Sequence, residues 1–224
     1  MMRYDRNGIF TEEEIQRLGK VKVCIIGCGG LGGYILEMMA RIGIGHITVI
    51  DGDVFNVSNL NRQILSTETN IGQSKVNSAK ERMTIVNSEI SVSYIDEYLN
   101  EDNAQRLLEG HDLVMDALDS ITTRFLLQEA CHALGIPFVH GAIAGWYGQV
   151  SVVFPGDKTL DLIYASRQGE GVEKKIGNPS FTPSTIASIQ VSEGLKVLLN
   201  KGEILRMKLL YVDLLQNEFH IMNL

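Results

Sequence analysis

The sequence predicts an α/β fold of the Rossmann-like kind: a mostly parallel twisted sheet with helices on both faces and an antiparallel C-terminal extension. From residue 21 to residue 141, short apolar runs alternate with segments of helical periodicity. This β-α order builds a parallel sheet through right-handed crossovers. After residue 183, a long helical segment precedes two alternating segments around Gln216 and Asn217, a pattern typical of an antiparallel hairpin.

Local patterns place the individual elements. Thr11 followed by Glu14 forms a capping box, which opens a short helix. Residues 21–26 are apolar except for Lys22, as in a parallel strand that is buried on both faces. Further strands are expected at residues 46–50, 90–95, 113–117, 138–141 and 149–154, and helices at 32–42, 74–86, 102–108, 122–134 and 183–199. Residues 56–65 are polar, with Leu60 and Ile64 at helical spacing.

The chain shows no internal repeat and no clean linker, so we expect one domain over residues 1–224. Residues 1–20 form an N-terminal arm and helix, and residues 21–156 form the nucleotide-binding core. Residues 157–182 are expected to form a mobile loop, because the Gly-rich, charged stretch from Ser166 to Phe181 cannot pack a core. Residues 183–224 add a helix and a β-hairpin.

Composition excludes several classes of protein. No apolar run approaches the roughly 18 residues that span a bilayer, and no signal peptide opens the chain. The net charge of −7 argues against nucleic-acid binding, which depends on Lys and Arg. Three cysteines without a C-x-x-C pair indicate a reducing, cytoplasmic setting and no structural zinc.

A glycine-rich turn joins the first core strand to the first core helix. The G-x-G-x-x-G pattern is formed by Gly27, Gly29 and Gly32, with Gly30 as a further glycine. Glycine lets the backbone approach phosphate oxygens, and the helix that follows offers free N–H groups to them. Asp51 ends the next strand, where an acid can bond ribose hydroxyls. Together these features predict a nucleotide site.

Polar residues further along favour a triphosphate over a dinucleotide. If residues 56–65 are helical, Asn59, Arg62 and Gln63 share one face, and Lys75 opens the next helix. Two cations beyond the ribose acid suit ATP better than a nicotinamide, which needs an apolar slot. Each of these cations could also be an ordinary surface charge.

The fourth strand ends in two acids, Asp116 and Asp119, at the carboxyl edge of the sheet where ligands of such folds bind. Asp119 could hold Mg²⁺ against phosphates. It could instead cap the next helix, a role that Ser120 can also take. His140 ends a predicted buried strand and reads as a core residue. We find no hydride-transfer, metal-cluster or Ser-His-Asp pattern in the sequence.

In their order along the chain, these segments resemble the MoeB/ThiF/HesA family, bacterial relatives of ubiquitin-activating enzymes. The resemblance runs from about residue 3 to the C-terminus and is weakest between Asp157 and Phe181. The Asn-x-x-Arg-Gln element is its most specific part. The matching segments are residues 4–7, 23–32, 51–53, 58–63, 72–75, 116–119, 141–145 and 148–150.

The resemblance implies an ATP-dependent reaction. The C-terminal Gly-Gly carboxylate of a ubiquitin-like sulfur carrier, of the thiamine or molybdopterin type, would attack the α-phosphate of ATP. The products would be an acyl-adenylate and pyrophosphate. Because a carboxylate must approach a polyanion, cations and Mg²⁺ would offset the repulsion.

Roles carry over by matched motif. Asp51 would hold the ribose, Asn59, Arg62 and Lys75 would contact the phosphates, and Asp119 would bind Mg²⁺. Gln63, Leu118 and Asp53 fall within matched nucleotide-binding motifs, and the role of Asp53 is the least defined. Arg6 resembles the family arginine that reaches the site of a neighbouring subunit, which implies a homodimer.

The sequence departs from the family pattern in its cysteines. Family members often bind zinc through two C-x-x-C pairs in the C-terminal third, and this chain has no cysteine there. We therefore expect no zinc. The same absence removes the downstream thiol that some relatives use, and Cys24, Cys28 and Cys131 are not placed as nucleophiles. Adenylation without a thioester step is the prediction.

Three other functions remain open at this stage. The first is activation of another acceptor, such as a modified tRNA base, which the acidic charge disfavours. The second is an NAD-binding oxidoreductase or sensor, which shares the glycine turn and the ribose acid. The third is an inactive scaffold, against which the presence of Arg62, Lys75 and Asp119 argues.

Overall fold

The computed structural model describes residues 3–169, 171 and 173–224. Its strands are β1 (Lys22–Ile26), β2 (His46–Ile50), β3 (Ser91–Ile95), β4 (Leu113–Asp116), β5 (Phe138–Ala144), β6 (Tyr147–Val153), β7 (Lys208–Asp213) and β8 (Glu218–Asn223). Its helices are α1 (Glu12–Leu18), α2 (Gly30–Ile42), α3 (Lys75–Val86), α4 (Ala104–Leu108), α5 (Ile121–Leu134), α6 (Thr159–Ile163), α7 (Glu173–Ile176) and α8 (Phe181–Leu199). Thr11 caps α1 through the predicted capping box with Glu14.

The strands form one sheet in the order β3-β2-β1-β4-β5-β6-β7-β8. Neighbouring strands from β3 to β5 are parallel. The last three strands are added antiparallel, and β7 and β8 form the predicted C-terminal hairpin. This topology confirms the predicted fold class.

Apolar side chains are buried on both faces of the sheet. On one face, Leu36 of α2, Met83 of α3 and Val191 of α8 belong to one continuous cluster with the strands. On the other face, Leu107 of α4 and Leu127 of α5 pack with the opposite side chains of the same strands. Parallel strands covered in this way read as continuous apolar runs, as β1 does.

Strand β5 is three residues longer than the sequence predicts, because it continues through Ala144 to a two-residue turn. Gly145 has φ of +58°, a conformation that suits the first position of a tight hairpin turn. β6 then runs back antiparallel from Tyr147. The hairpin brings residues 142–147 toward the carboxyl edge of the parallel strands.

The region 157–182, for which the sequence predicts only a loop, contains α6 and α7. Helix α6 is held because Leu160 is fully buried and its N–H donates to Gln128 Oε1 at 3.0 Å. Glu170 and Val172, which fall in the predicted mobile stretch, lie outside the described residues. Among the described helices, none is long and apolar enough to cross a membrane.

The segment 56–65 is helical only in part. A 3₁₀ turn spans Val57–Asn59, and the next residues continue as turns. The N–H groups of Arg62 and Gln63 both donate to the Asn59 carbonyl, at 3.1 and 2.9 Å. This helix-like turn places Gln63 one turn after Asn59, as the spacing predicted.

Candidate functional site

The site lies where the strand order reverses: β2 and β3 are added on one side of β1, and β4 and β5 on the other. β1 is paired with β2 on one side and with β4 on the other, so the connections after β1 and β4 diverge. Such a switch point leaves a crevice at the carboxyl ends of the strands. A cavity of about 530 Å³ occupies it. Ten of the predicted nucleotide-site residues lie in its wall: Gly27, Gly29, Gly30, Asp51, Asp53, Arg62, Gln63, Lys75, Leu118 and Asp119.

The turn between β1 and α2 admits only glycine at two positions. Gly27 has φ of +97°, and a Cβ there would lie 2.6 Å from the carbonyl oxygen of Ala117. A Cβ on Gly32 would overlap the carbonyl oxygen of Gly27. The backbone itself therefore forms the cradle, and α2 begins at Gly30 with its free N–H groups at the cavity.

Asp51 is fixed by backbone donors on either side. Its Oδ2 accepts the N–H of Cys28 at 2.6 Å, which ties the acid to the glycine turn. Its Oδ1 accepts the N–H of Asp53 at 2.8 Å. The carboxylate is therefore held at the cavity wall in one orientation.

Lys75 is buried, and its ammonium group lies 2.6 Å from Asp53 Oδ2. The backbones are also joined, because the N–H of Lys75 donates to the Asp53 carbonyl at 3.0 Å. Burial alone would raise the pKa of Asp53, but the hydrogen bond and charge of Lys75 together with the hydrogen bond from the N–H of Val54 outweigh it, and the pKa lies below its ordinary value. The Asp53 carboxylate is thus ionised and holds Lys75 in place beside the cavity.

Arg62 extends over the start of α2, with its Cγ 3.9 Å from the position of a Cβ on Gly30. Its guanidinium donates to two neutral oxygens, Ser58 O and Asn61 Oδ1, both at 2.9 Å. No ion pair of Arg62 is found among the described residues. A cation bonded only to neutral oxygens retains its attraction for an anion in the cavity.

Leu118 and Asp119 line the cavity just beyond the end of β4. The N–H of Leu118 donates to Asp116 Oδ1 at 3.0 Å. Ser120 caps α5 by accepting the N–H of Thr123, so the alternative capping role considered for Asp119 is filled by Ser120. Asp119 is exposed at the cavity.

Three predicted site residues do not line the cavity. Gly32 lies behind the turn and permits its close packing. Asn59 is buried, and its Oδ1 accepts the N–H of Asn56 at 2.9 Å, so in this geometry it organises the loop that carries Arg62. Arg6 is exposed on the N-terminal arm, which is anchored far from the cavity: Asn7 donates to the carbonyl of Ile42, at the end of α2 opposite to the glycine turn.

Asp116 and His140 are also outside the cavity. Both are fully buried, and His140 Nδ1 lies 2.7 Å from Asp116 Oδ2. Asp116 is therefore a structural acid and not a second ligand at the edge. The interpretation of His140 as a hydrogen-bonded core residue agrees with this placement.

Sequence reasoning missed several residues of the wall. Arg124 lies one turn into α5 and is almost fully buried, and Asn178 follows α7. The Oδ1 of Asn178 and the Oε1 of Gln63 are buried without a hydrogen-bond partner among the described residues. Arg124 gave no signal because no motif surrounds it in the sequence, and Asn178 gave none because the loop before it has no periodicity.

The three cysteines are all buried thiols. Burial raises the pKa of Cys28, and the nearby charge of Asp51 raises it further. Burial also raises the pKa of Cys24 and of Cys131. Within the described part of the chain, no group of three or more His, Cys, Asp or Glu side chains is arranged to hold a metal ion.

The model of the ThiF family matches residues 4–224. The SAMP-activating enzyme E1 of Haloferax volcanii is 33% identical over 223 residues, covering 97% of this chain and 83% of that protein. The molybdopterin-synthase adenylyltransferase of Salmonella typhimurium is 31% identical over 232 residues, covering 100% of this chain and 92% of that protein.

Solved structures have the same fold. The E. coli MccB structure with ATP superimposes with a TM-score of 0.80 at 23% identity, over 100% of this chain and 71% of that chain. The E. coli tRNA N6-threonylcarbamoyladenosine dehydratase, TcdA, gives a TM-score of 0.76 at 25% identity, over 88% of this chain and 94% of that chain. With the family model matching nearly the whole chain, this protein belongs to the ThiF family and is an enzyme of the adenylyltransferase kind.

Proposed function

We propose that this protein adenylates the C-terminal glycine carboxylate of a ubiquitin-like sulfur carrier, using ATP and releasing pyrophosphate. The observation that carries the proposal is the cavity beside the glycine turn, where two cations and two acids converge in a member of an adenylyltransferase family. These two cations are Arg62 and Lys75, and these two acids are Asp51 and Asp119. A third cation, Arg124, and two further acids, Asp53 and Glu97, also line the cavity. We expect a carrier of the thiamine or molybdopterin type and a cytoplasmic setting.

The reaction forms one bond and breaks one. A carboxylate oxygen of the carrier attacks the α-phosphorus of ATP, and the bond from that phosphorus to the oxygen bridging to the β-phosphate breaks. Pyrophosphate leaves with the electron pair, and the products are the acyl-adenylate and pyrophosphate. Both reactants are negative, so fixed positive groups at the cavity wall lower the barrier. Holding the two reactants in line supplies much of the remainder.

Arg62 and Lys75 would carry out the electrostatic part. Lys75 is already oriented by Asp53 at 2.6 Å, so little reorganisation is needed when phosphates arrive. Arg62 would exchange its bonds to neutral oxygens for charge-assisted bonds to phosphate, which are roughly twice as strong. The N–H groups at the start of α2 would add a positive end for the same anion.

The remainder of the nucleotide would contact the acids and amides of the wall. Asp51 would accept the ribose hydroxyls, as its place at the end of β2 suits. Gln63 Oε1 and Asn178 Oδ1 are buried acceptors without a partner among the described residues, and each can accept a hydroxyl or amine proton of a nucleotide. Unpartnered acceptors of this kind fit a polar ligand.

Asp119 would hold Mg²⁺ against the phosphates. Magnesium in nucleotide sites is bound by one or two carboxylates together with substrate phosphates, so an exposed carboxylate in the wall fits the ion. When bound, the ion would neutralise charge that develops on the leaving group. No zinc is part of the proposal.

A homodimer belongs to the same proposal. Arg6 lies at the end of the molecule opposite to its own cavity, so it could serve only the cavity of another copy. We expect it to contribute a positive charge to the partner's phosphates.

A second candidate is activation of a modified tRNA base, which the similarity to the tRNA dehydratase favours. The net charge of −7 weighs against it, because tRNA binding depends on neutralising phosphates. The two candidates share the ATP site and differ in the acceptor.

The experiment is Mg-ATP/pyrophosphate exchange with radiolabelled pyrophosphate and a purified carrier that ends in Gly-Gly. The matched control is the same carrier without its last glycine. We expect label to enter ATP only with the intact carrier. Exchange with a tRNA preparation and with no carrier would support the second candidate. Absence of exchange with every carrier encoded beside the gene would overturn the proposal.

A further inference from the structure

A closed ring of hydrogen bonds adjoins the cavity wall that carries Asp119, and one of its members, Arg124, also lines the cavity. Its side chains come from four elements: Asp116 ends β4, Arg124 lies in α5, His140 lies in β5 and Tyr164 follows α6. The backbone of Leu118 closes the ring. Asp116 and His140 are fully buried, Arg124 is nearly so and Tyr164 is half-buried.

Each bond of the ring has a defined donor. Arg124 Nη1 donates to Tyr164 Oη at 2.8 Å, and that hydroxyl lies 3.2 Å from His140 Nε2. His140 Nδ1 lies 2.7 Å from Asp116 Oδ2. Burial lowers the pKa of His140 despite the nearby carboxylate, so the imidazole is neutral and carries one proton. The proton belongs on Nδ1, facing the carboxylate, which leaves Nε2 as an acceptor for the tyrosine. The amide nitrogen of Gln149 lies 3.3 Å from both His140 Nε2 and Tyr164 Oη and supports the same two groups.

The ring closes on both backbone groups of Leu118. The N–H of Leu118 donates to Asp116 Oδ1 at 3.0 Å, and its carbonyl accepts from Arg124 Nη2 at 2.5 Å. The backbone of Leu118 is therefore hydrogen-bonded to both Asp116 and Arg124, and we call this arrangement the clamp. Asp119 is the only residue between this clamp and Ser120, which caps α5. Its backbone is thus fixed on both sides.

We propose that Tyr164 and His140 are positioning residues: through Arg124 and Asp116 they hold Leu118, and with it they fix Asp119 at the wall of the cavity. Neither side chain lines the cavity, so neither contacts a nucleotide directly. The functional part of this inference rests on the proposed adenylation, because there Asp119 must face the phosphates.

The ring is rigid because it contains a buried ion pair whose two members are also connected through neutral side chains. Asp116 and Arg124 are opposite charges 3.6 Å apart in the interior, and the neutral histidine and tyrosine connect them a second time. Removing one neutral link leaves the ion pair in place but frees one side of it. The guanidinium can then tilt, and the bonds of its Nη2 to the carbonyls of Leu118 and Gly141 lose their fixed geometry.

The test uses Tyr164→Phe, His140→Asn and their double variant, with Tyr34→Phe of α2 as the matched control. His140→Asn keeps a donor near the position of Nδ1 and loses the acceptor at Nε2, so it breaks one of the two ring bonds that Tyr164→Phe removes, the bond between Tyr164 and His140. Two quantities are measured: amide hydrogen exchange of residues 117–120 by mass spectrometry, and carrier-dependent pyrophosphate exchange. Thermal unfolding checks that each variant is folded at the assay temperature.

We expect faster amide exchange at residues 117–120 in both single variants and not in Tyr34→Phe. The kcat for pyrophosphate exchange should fall roughly ten- to hundredfold, the cost of a misplaced catalytic group, with KM for ATP changed less than threefold. The double variant should be no worse than Tyr164→Phe, because the ring bond lost in His140→Asn is already lost in Tyr164→Phe.

Unchanged amide exchange at residues 117–120 in the two single variants overturns the proposal, whatever the activity. Additive losses in the double variant also overturn it. If the parent protein shows no carrier-dependent exchange but the variants loosen residues 117–120, the clamp stands and the proposed function fails. Failure of the clamp and failure of the proposed adenylation therefore give different results.

Discussion

At the scale of single residues, the two glycines Gly30 and Gly32 belong to one turn but meet different neighbours. A Cβ on Gly32 would overlap the carbonyl of Gly27, whereas one on Gly30 would lie 3.6 Å from Pro183, an ordinary contact. We expect Gly32→Ala to destabilise the fold by about 3 kcal/mol, the upper end of overpacking costs. Gly30→Ala should change the free energy of unfolding by less than ~1 kcal/mol. Urea titration compares the two, and equal stabilities would contradict the turn geometry.

The charged residues of the wall should act on the transition state. We expect Lys75→Ala and Asp119→Ala each to lose at least roughly 2.7 kcal/mol of transition-state stabilisation, a typical loss for one preorganised charge. The loss is measured as a fall in kcat/KM for pyrophosphate exchange. Lys80→Ala is the control, because Lys80 is an exposed lysine on the same helix as Lys75. Near-parental exchange in the Lys75 or Asp119 variant would remove the role assigned to that residue.

The residues that sequence reasoning placed in the site were those with a motif around them. Gly27, Asp51 and Lys75 each stand at the end of a strand or the start of a helix, where the chain order fixes their position. Asn59 was assigned to the ligand, and its Oδ1 accepts from the backbone of its own loop, because an amide in a tight turn satisfies local donors first. Its contact with phosphates stays a prediction. The spacing of Asn59 and Arg62 in the sequence cannot distinguish an amide that binds a ligand from one that binds the backbone of its own loop.

At the scale of elements, Glu37 joins helices α2 and α3. Its carboxylate accepts from Arg41 on its own helix at 2.6 Å and from Arg82 on α3 at 2.8 Å. Burial alone would raise the pKa of Glu37, but the hydrogen bonds from Arg82 and Arg41 outweigh it, and the pKa lies below the ordinary 4.5. A depressed carboxyl pKa adds stability that is complete above the unfolded-state pKa.

This linkage predicts an acid-dependent difference in stability. Glu37→Gln should lower the free energy of unfolding at pH 7 by about 1 to 2 kcal/mol, since hydrogen bonds to charged groups are worth about that much. The difference from the parent should shrink as the pH falls below 4.5 and through the lowered folded-state pKa. Glu81→Gln, at an exposed position of α3, is the control. A pH-independent difference would show that Glu37 acts by packing alone.

The elements themselves were predictable where periodicity was strong. The parallel strands and helices α2, α3, α5 and α8 follow from buried apolar runs and helical stripes. Helix α6 was missed because a short helix is stabilised by one distant contact, Leu160 with Gln128 of α5, which no local pattern announces. Strand β5 was cut short because Ala142 and Ala144 are weak strand formers in isolation, and their pairing with β6 is what extends them.

At the scale of the whole molecule, the N-terminal arm and the cavity lie at opposite edges of the sheet. Tyr4 accepts a hydrogen bond from Asn87 after α3, and Asn7 bonds the end of α2. An arginine between them cannot serve its own cavity without unfolding the arm. If the proposed homodimer forms, a subunit that lacks Arg6 should therefore be complemented by a partner subunit that retains it.

Mixing subunits that carry different substitutions tests this complementation. Arg6→Ala and Lys75→Ala are expected to be weakly active separately. In a mixed dimer, the cavity of the Arg6→Ala subunit keeps Lys75 and receives Arg6 from its partner, so one of the two sites is intact. Random mixing should restore about one quarter of parental exchange activity, since half of the dimers are mixed. No recovery, with mixing confirmed by native mass spectrometry, would contradict action of Arg6 in the partner's site.

In the proposed reaction, an adenylyl group from ATP is joined to the C-terminal glycine of a carrier in the cavity. The most direct measurement is the intact mass of the carrier after incubation with enzyme, Mg-ATP and pyrophosphatase, which removes pyrophosphate and lets the adenylate accumulate. We predict a carrier heavier by one adenylyl group, with no carrier bound covalently to the enzyme. A carrier of unchanged mass, while ATP is consumed, would contradict the proposed function.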